Sequence, residues 1–169
     1  MASEREIAEY LLDCFDTLYR VLGEGAPTLL NDAYVVRTYD AARAFGGVAL
    51  ELREFLGAPA VQSVDVLEGV LANSIASDET GAMTLFAMAM VVGPRLLVSL
   101  LDARQALGEG PLNAICEHAS QVVVSEIRAT GDAARDQAPI EDSSWQGAAR
   151  DFTETLDGAG YVESMGISR

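Results

Sequence analysis

Cys116-Glu117-His118 is the place in this sequence where a thiol, a carboxylate and the sole imidazole adjoin. A metal ion would need those ligands to converge. On a helix, neighbouring residues point about 100° apart, so three consecutive side chains face different ways. The chain has no Glu-x-x-His pair for a di-iron bundle and no Cys-x-x-Cys. His118 is therefore expected to face solvent or to be satisfied by a neighbour. The acid pairs Asp13/Asp16 and Glu51/Glu54 have the spacing of one helix face, and solvation of a polar face accounts for them without acid–base catalysis. Gly-Glu-Gly occurs at 23–25 and at 108–110, each time after a Leu, and reads as a helix stop and not as a phosphate cradle. No nucleophile elbow, dinucleotide turn or kinase set is present. All 11 basic residues are Arg, so neither a Schiff-base lysine nor a P-loop lysine is available. These residues predict a protein that is not an enzyme and has no cofactor of its own.

The elements that would carry such residues are helical. Half of the residues are hydrophobic but only 7% are aromatic, so the apolar content is aliphatic and rich in Ala. Ser3 with Glu6 forms a capping box. Ile7, Leu11, Cys14, Leu18 and Val21 then make one apolar stripe, which Gly23 and Gly25 end. After Pro27 a longer helix runs to about Leu56. Its seam is Tyr34, Thr38, Ala41, Phe45, Val48, Leu52 and Phe55, at alternating steps of four and three. Gly46-Gly47 interrupts the element at a cost of about 1 kcal/mol per Gly relative to Ala. Either a kink or the close approach of another backbone is expected there. A third helix is capped by Ser63 and carries Leu67, Val70, Leu71 and Ile75. A last one follows Pro111, with Leu112, Ile115, Cys116, Ala119, Val122, Val123 and Ile127 on one side.

The net charge of −15 excludes a nucleic-acid partner, because a phosphate backbone needs a basic face. Against that charge stands one apolar run, Gly81–Leu101, whose only charged residue is Arg95. About 20 helical residues span roughly 30 Å, the thickness of a hydrocarbon core. Arg95 would cost roughly 2.5–3.5 kcal/mol near the centre of a bilayer. Gly93-Pro94 splits the run, and Pro suits the first turn of a helix. Burial in protein is thus preferred over membrane insertion, either as two short helices (about 80–92 and 94–107) or as one kinked helix. Large apolar residues cover every face of the first half. Met83, Phe86, Met88, Met90 and Val91 are accordingly the candidate surface for homo-oligomer contact or for an apolar ligand.

From about Ala129 the sustained period disappears. Trp145, Phe152, Tyr161 and Met165 stand isolated among Asp, Glu, Ser and Gly, a pattern that suits a partner-docking segment anchored by a few large residues. The expected organisation is all-α, about five helices forming an oligomerising bundle or tube over 1–128, with an extended acidic docking tail over 129–169. Cys14 and Cys116 fall on apolar positions and are expected as buried thiols in a reducing cytoplasm. The charged N-terminus "MASEREIAEY" lacks the pattern of a signal peptide, which agrees with that location.

In layout, the apolar 81–101 run followed by "SSWQGAARDF" and "GYVESMGISR" resembles the small stalk subunit of the high-affinity uptake nickel-iron hydrogenases of actinobacteria. The resemblance implies a tetrameric helical tube with an apolar interior that gives a quinone access, peripheral contact with the cytoplasmic face of the membrane, and larger hydrogenase subunits held by the tail. The terminal "ESMGISR" is also similar to tails that load cargo into encapsulin shells. The sequence thus supports a non-enzymatic scaffold first, and second a helical carrier or sensor of a quinone or lipid.

Overall fold

The computed structural model describes residues 2–29, 32–57, 92–137 and Glu154. The fold is all-α: every regular element among these residues is a helix. Four α-helices are present, α1 (Glu4–Gly25), α2 (Asp32–Leu56), α3 (Gly93–Ala106) and α4 (Pro111–Gln137), with a 3-10 turn at Ala26–Thr28 between the first two. The expected helix after Ser63, residues 81–91 of the apolar run and residues 138–169 other than Glu154 lie outside the described residues.

α1 begins as its first residues require. The Ser3 amide and hydroxyl donate to the Glu6 carboxylate at 2.7 and 2.8 Å, while the Glu6 amide donates to the Ser3 hydroxyl at 3.3 Å. These bonds, the backbone one foremost, hold the Glu6 carboxyl below its ordinary range. Ile7, Leu11, Cys14, Leu18 and Val21 are all buried. Gly23 lies inside the helix and does not end it; the element closes at Gly25 and passes into the Pro27 turn.

α2 is the central element. Tyr34, Thr38, Ala41, Phe45, Val48 and Leu52 are buried along it, and Phe55 packs against the same core. It lies against α1 on one side and α4 on the other, and α3 packs on α4. Gly57, with φ 75°, ends α2 in the left-handed region, where a side chain would be strained. α1 and α2 run antiparallel, as the pairs Leu22/Ala41 and Tyr19/Gly46 show, lying successively farther from the connecting turn. Phe15 and Phe45 meet in the core with ring centroids 6.0 Å apart and a tilt of 49°.

The apolar run is seen from Val92 onward. α3 runs from Gly93 with Pro94 in its first turn, directly after Val92, which is itself in a helical conformation, and ends where the Leu107 amide donates to the Ala103 carbonyl at 2.9 Å. Leu96, Ser99, Leu100 and Ala103 are buried, whereas Val98 and Leu101 stand in solvent. Among the described residues no helix is long and apolar enough to cross a membrane. α4 carries the expected stripe through Leu112, Cys116, Ala119 and Val123, and continues past Ala129, with Thr130 buried. Residues 129–137, expected as the start of the tail, are therefore helical.

Candidate functional site

Polar side chains tie the helices together at four places. Asp16 on α1 is 4% exposed and receives Arg53 from α2, with Arg20 Nε 3.7 Å from its other oxygen. This corrects the expectation of a solvated acid pair: Asp16 is a buried bridge between α1 and α2. Arg37 on α2 donates to Glu126 on α4, with Asp40 at 3.9 Å from the same guanidinium. Burial pushes the Glu126 carboxyl above its ordinary range although Arg37 works against it. Glu51 of the second acid pair accepts from His118 Nδ1 at 2.8 Å. His118 is thus both solvent-facing and satisfied. At the α3–α4 turn, Arg104 Nε donates to Asn113 Oδ1 at 3.3 Å and a terminal guanidinium nitrogen lies 3.5 Å from Glu117. Asn113 Nδ2 in turn donates to the carbonyls of Arg104 and Gly108.

None of these groups makes a metal centre; among the described residues no group of three or more His, Cys, Asp and Glu could hold an ion. Neither Cys14 nor Cys116 forms a disulfide, and both are buried. Burial pushes the Cys116 thiol up to about 11, the nearby Arg104 charge opposing it, so the sulfur stays protonated and unreactive near neutral pH.

Two concavities among the described residues differ in kind. A narrow pocket where α1, α2, α3 and α4 meet, lined by Leu22, Ala41, Phe45 and Val123, measures about 10 Å³. That is room for about one water and not for a quinone ring. The other is an open groove of about 670 Å³ between the outer faces of α1 and α2. Its floor is made of small residues, Ala42, Gly46 and Gly47, so the two helices leave a depression between them. Tyr19, Tyr39 and Leu50 form its apolar walls and are 46%, 45% and 55% exposed. The guanidiniums of Arg20, Arg43 and Arg53 line it, against the single carboxylate of Glu24.

Gly46 explains the groove's shape. A Cβ there would sit 2.7 Å from Cδ2 of Tyr19, so the ring lies directly on the α2 backbone. The expected alternatives, a kink or a second backbone, give way to a third: an aromatic side chain occupies the space a methyl would take. α2 remains one element through both glycines.

Of the candidate surface residues, Met83, Phe86, Met88, Met90 and Val91 lie outside the described residues, as do Trp145, Phe152, Tyr161 and Met165. The groove was not anticipated from the sequence. Its signal was a second stripe on α2, Tyr39, Arg43 and Leu50, on a face away from the buried seam. No family model, no curated protein and no solved structure matches the chain.

Proposed function

We propose that this chain is a non-enzymatic scaffold that gathers copies of itself through the apolar 81–101 run and holds a larger enzyme through its C-terminal tail. The observation that carries the reading is the exposure of Val98 and Leu101, 58% and 51%, on one face of α3. Residues one helical turn apart at the end of a run of this hydrophobicity leave an apolar surface that a second copy can cover. Met83, Phe86, Met88, Met90 and Val91 belong to the same run and are assigned to the same contact, and a tetramer is the assembly to look for. Trp145, Phe152, Tyr161 and Met165 are assigned to the partner enzyme, for which a nickel-iron hydrogenase is the first choice to test. A self-contained carrier of a quinone or lipid is the weaker alternative, because among the described residues the pocket lined by Leu22, Ala41, Phe45 and Val123, about 10 Å³, admits neither. A quinone path in this scheme runs between copies, with membrane contact peripheral and supplied by the assembly.

Light scattering coupled to size-exclusion chromatography tests the assembly. The wild type is expected as a multimer at micromolar concentration without detergent, and the Val98→Glu/Leu101→Glu variant as a smaller species with the same helical circular dichroism. A wild-type chain that elutes as a monomer under those conditions would overturn the reading.

A further inference from the structure

The groove between α1 and α2 is a surface that helix packing among the described residues does not use. Leu50 and Tyr39 lie three turns apart on α2, roughly 16 Å along the axis at 1.5 Å per residue. Tyr19 reaches over from α1 with its ring on the α2 backbone at Gly46, and Ala42 and Gly47 also line the groove. No atom of the described residues lies within 4 Å of the place where a Gly47 side chain would begin, so the groove is open there. Small-molecule sites enclose most of their ligand. A trough with half-exposed walls and about three turns of length has the dimensions of a seat for one helix, held by anchors at i, i+3 or i+4, and i+7.

Charge selects which helix. The chain as a whole carries −15 and repels anionic partners at long range. The groove reverses that sign locally, with three guanidiniums against Glu24. Arg53 and Arg20 are partly neutralised from beneath by Asp16. Arg43 is exposed and makes no ion pair or hydrogen bond among the described residues. A guanidinium on a groove wall with its five donors unused is suited to a carboxylate from outside. Phosphate polymers and anionic membranes would have to approach across the surrounding acidic surface with far more charge than a short peptide brings. We infer that the α1–α2 groove binds an acidic amphipathic helix of a partner protein, its apolar anchors seated among Tyr19, Tyr39 and Leu50 and its carboxylates on Arg43, Arg20 and Arg53. This rests on the scaffold reading in that the partner is a protein, but it uses a different surface from the oligomer contact and from the tail.

The test is fluorescence anisotropy with the full chain and three labelled helix-favouring peptides. The first carries Leu and Phe anchors at i, i+4 and i+7 with Glu at the flanking positions. The second replaces every Glu by Gln, and the third replaces the anchors by Ser. The acidic anchored peptide should bind at least about tenfold more tightly than either control, and its affinity should fall as NaCl is raised from about 50 to about 500 mM. Arg43→Glu should remove about tenfold or more of that affinity, and Arg43→Gln a smaller share. Both leave the fold intact, since Arg43 holds no other helix. Equal binding of the Glu and Gln peptides, no binding of either at about 1 mM, or an Arg43→Glu variant that binds like wild type would overturn the inference. Failure of the scaffold reading looks different: a monomer that still prefers the acidic peptide keeps the groove and loses the assembly, while a multimer without that preference does the reverse.

Discussion

Gly46 and Gly47 sit side by side in the middle of α2, yet replacing each by Ala should have different consequences. In a helix interior Ala is favoured over Gly by about 1 kcal/mol. At Gly47 the new methyl meets nothing within 4 Å, so Gly47→Ala should realise most of that gain, about 0.5–1 kcal/mol. At Gly46 the methyl would lie 2.7, 3.1 and 3.2 Å from three ring carbons of Tyr19. Ordinary carbon contacts lie near 3.5–4.0 Å, so the ring must retreat by roughly 1 Å. Tyr19 is 46% exposed and can swing outward, at the expense of its contact with the α2 backbone. A tyrosine buries about 150–250 Å² when fully covered. Losing roughly a quarter of that at 25 cal/mol per Å² costs about 1–1.5 kcal/mol, which cancels or exceeds the propensity gain. Urea unfolding followed by circular dichroism, at one fixed protein concentration, should therefore place Gly47→Ala above wild type and Gly46→Ala at or below it. In a Tyr19→Ala background Gly46→Ala should recover the gain, giving a coupling of about 1–1.5 kcal/mol between the two positions. Equal stabilisation by both substitutions, with no coupling to Tyr19, would refute the claim that the Tyr19 ring rests on the α2 backbone at Gly46.

Arg37→Met should destabilise the fold by about 2–4 kcal/mol, somewhat less than a fully buried broken pair because both partners keep a little exposure, and Glu126→Gln in the same chain should restore much of the loss. Burial already raises the folded Glu126 carboxyl above its unfolded value, so its contribution is fully present below the unfolded pKa and is lost as pH rises through the folded one. Without Arg37 that loss should deepen, and urea midpoints measured from about pH 4 to about pH 7 should show the variant losing stability more steeply than wild type. Cys116, with its thiol raised to about 11, should react with a disulfide reagent at pH ~8 on the order of 100-fold more slowly in the folded chain than in urea. By the same linkage its contribution to stability should decline from about pH 8.5 upward, because the unfolded thiol ionises first; a native thiol reacting at the unfolded rate would contradict its burial.

The parts of this fold that were legible in the sequence are those whose causes are local. Ser3 and Glu6 find each other within one turn, and the stripes of α1 and α2 are periodic over their whole lengths. Pro94 falls in the first turn of α3, a position that Pro suits. What was not legible depends on residues distant in sequence. Asp16 reads as a surface acid until Arg53, on the next helix, reaches back to it. Glu51 is likewise defined by His118, from the far end of the described chain. Residues 129–137 lost their period because Ala129, Thr130 and Ala133 are too small to write a stripe, although small residues suit a helix that continues against a neighbour. The groove escaped notice for a related reason: its floor is built from residues whose contribution is the lack of a side chain.

The placement of the arginines links stability to function. A chain with 26 acidic and 11 basic side chains repels itself on collapse, and the cost is greatest where helices bring carboxylates together. Arg53 and Arg20 answer Asp16 between α1 and α2, Arg37 answers Glu126 between α2 and α4, and Arg104 answers Glu117 at the α3–α4 turn. Arg37, Arg53 and Arg104 each brace two elements, which a lysine ammonium does less well, and the chain has no lysine. Cations are therefore scarce, and these three hold helices together. Arg43 is not used in that way. It stands one turn from Asp40 on α2, and Asp40 lies against Arg37 instead. A cation left out of the internal ion pairs of so acidic a protein, on the wall of an apolar groove, stabilises nothing within the described fold, and its electrostatic energy becomes available only when a carboxylate arrives from another molecule.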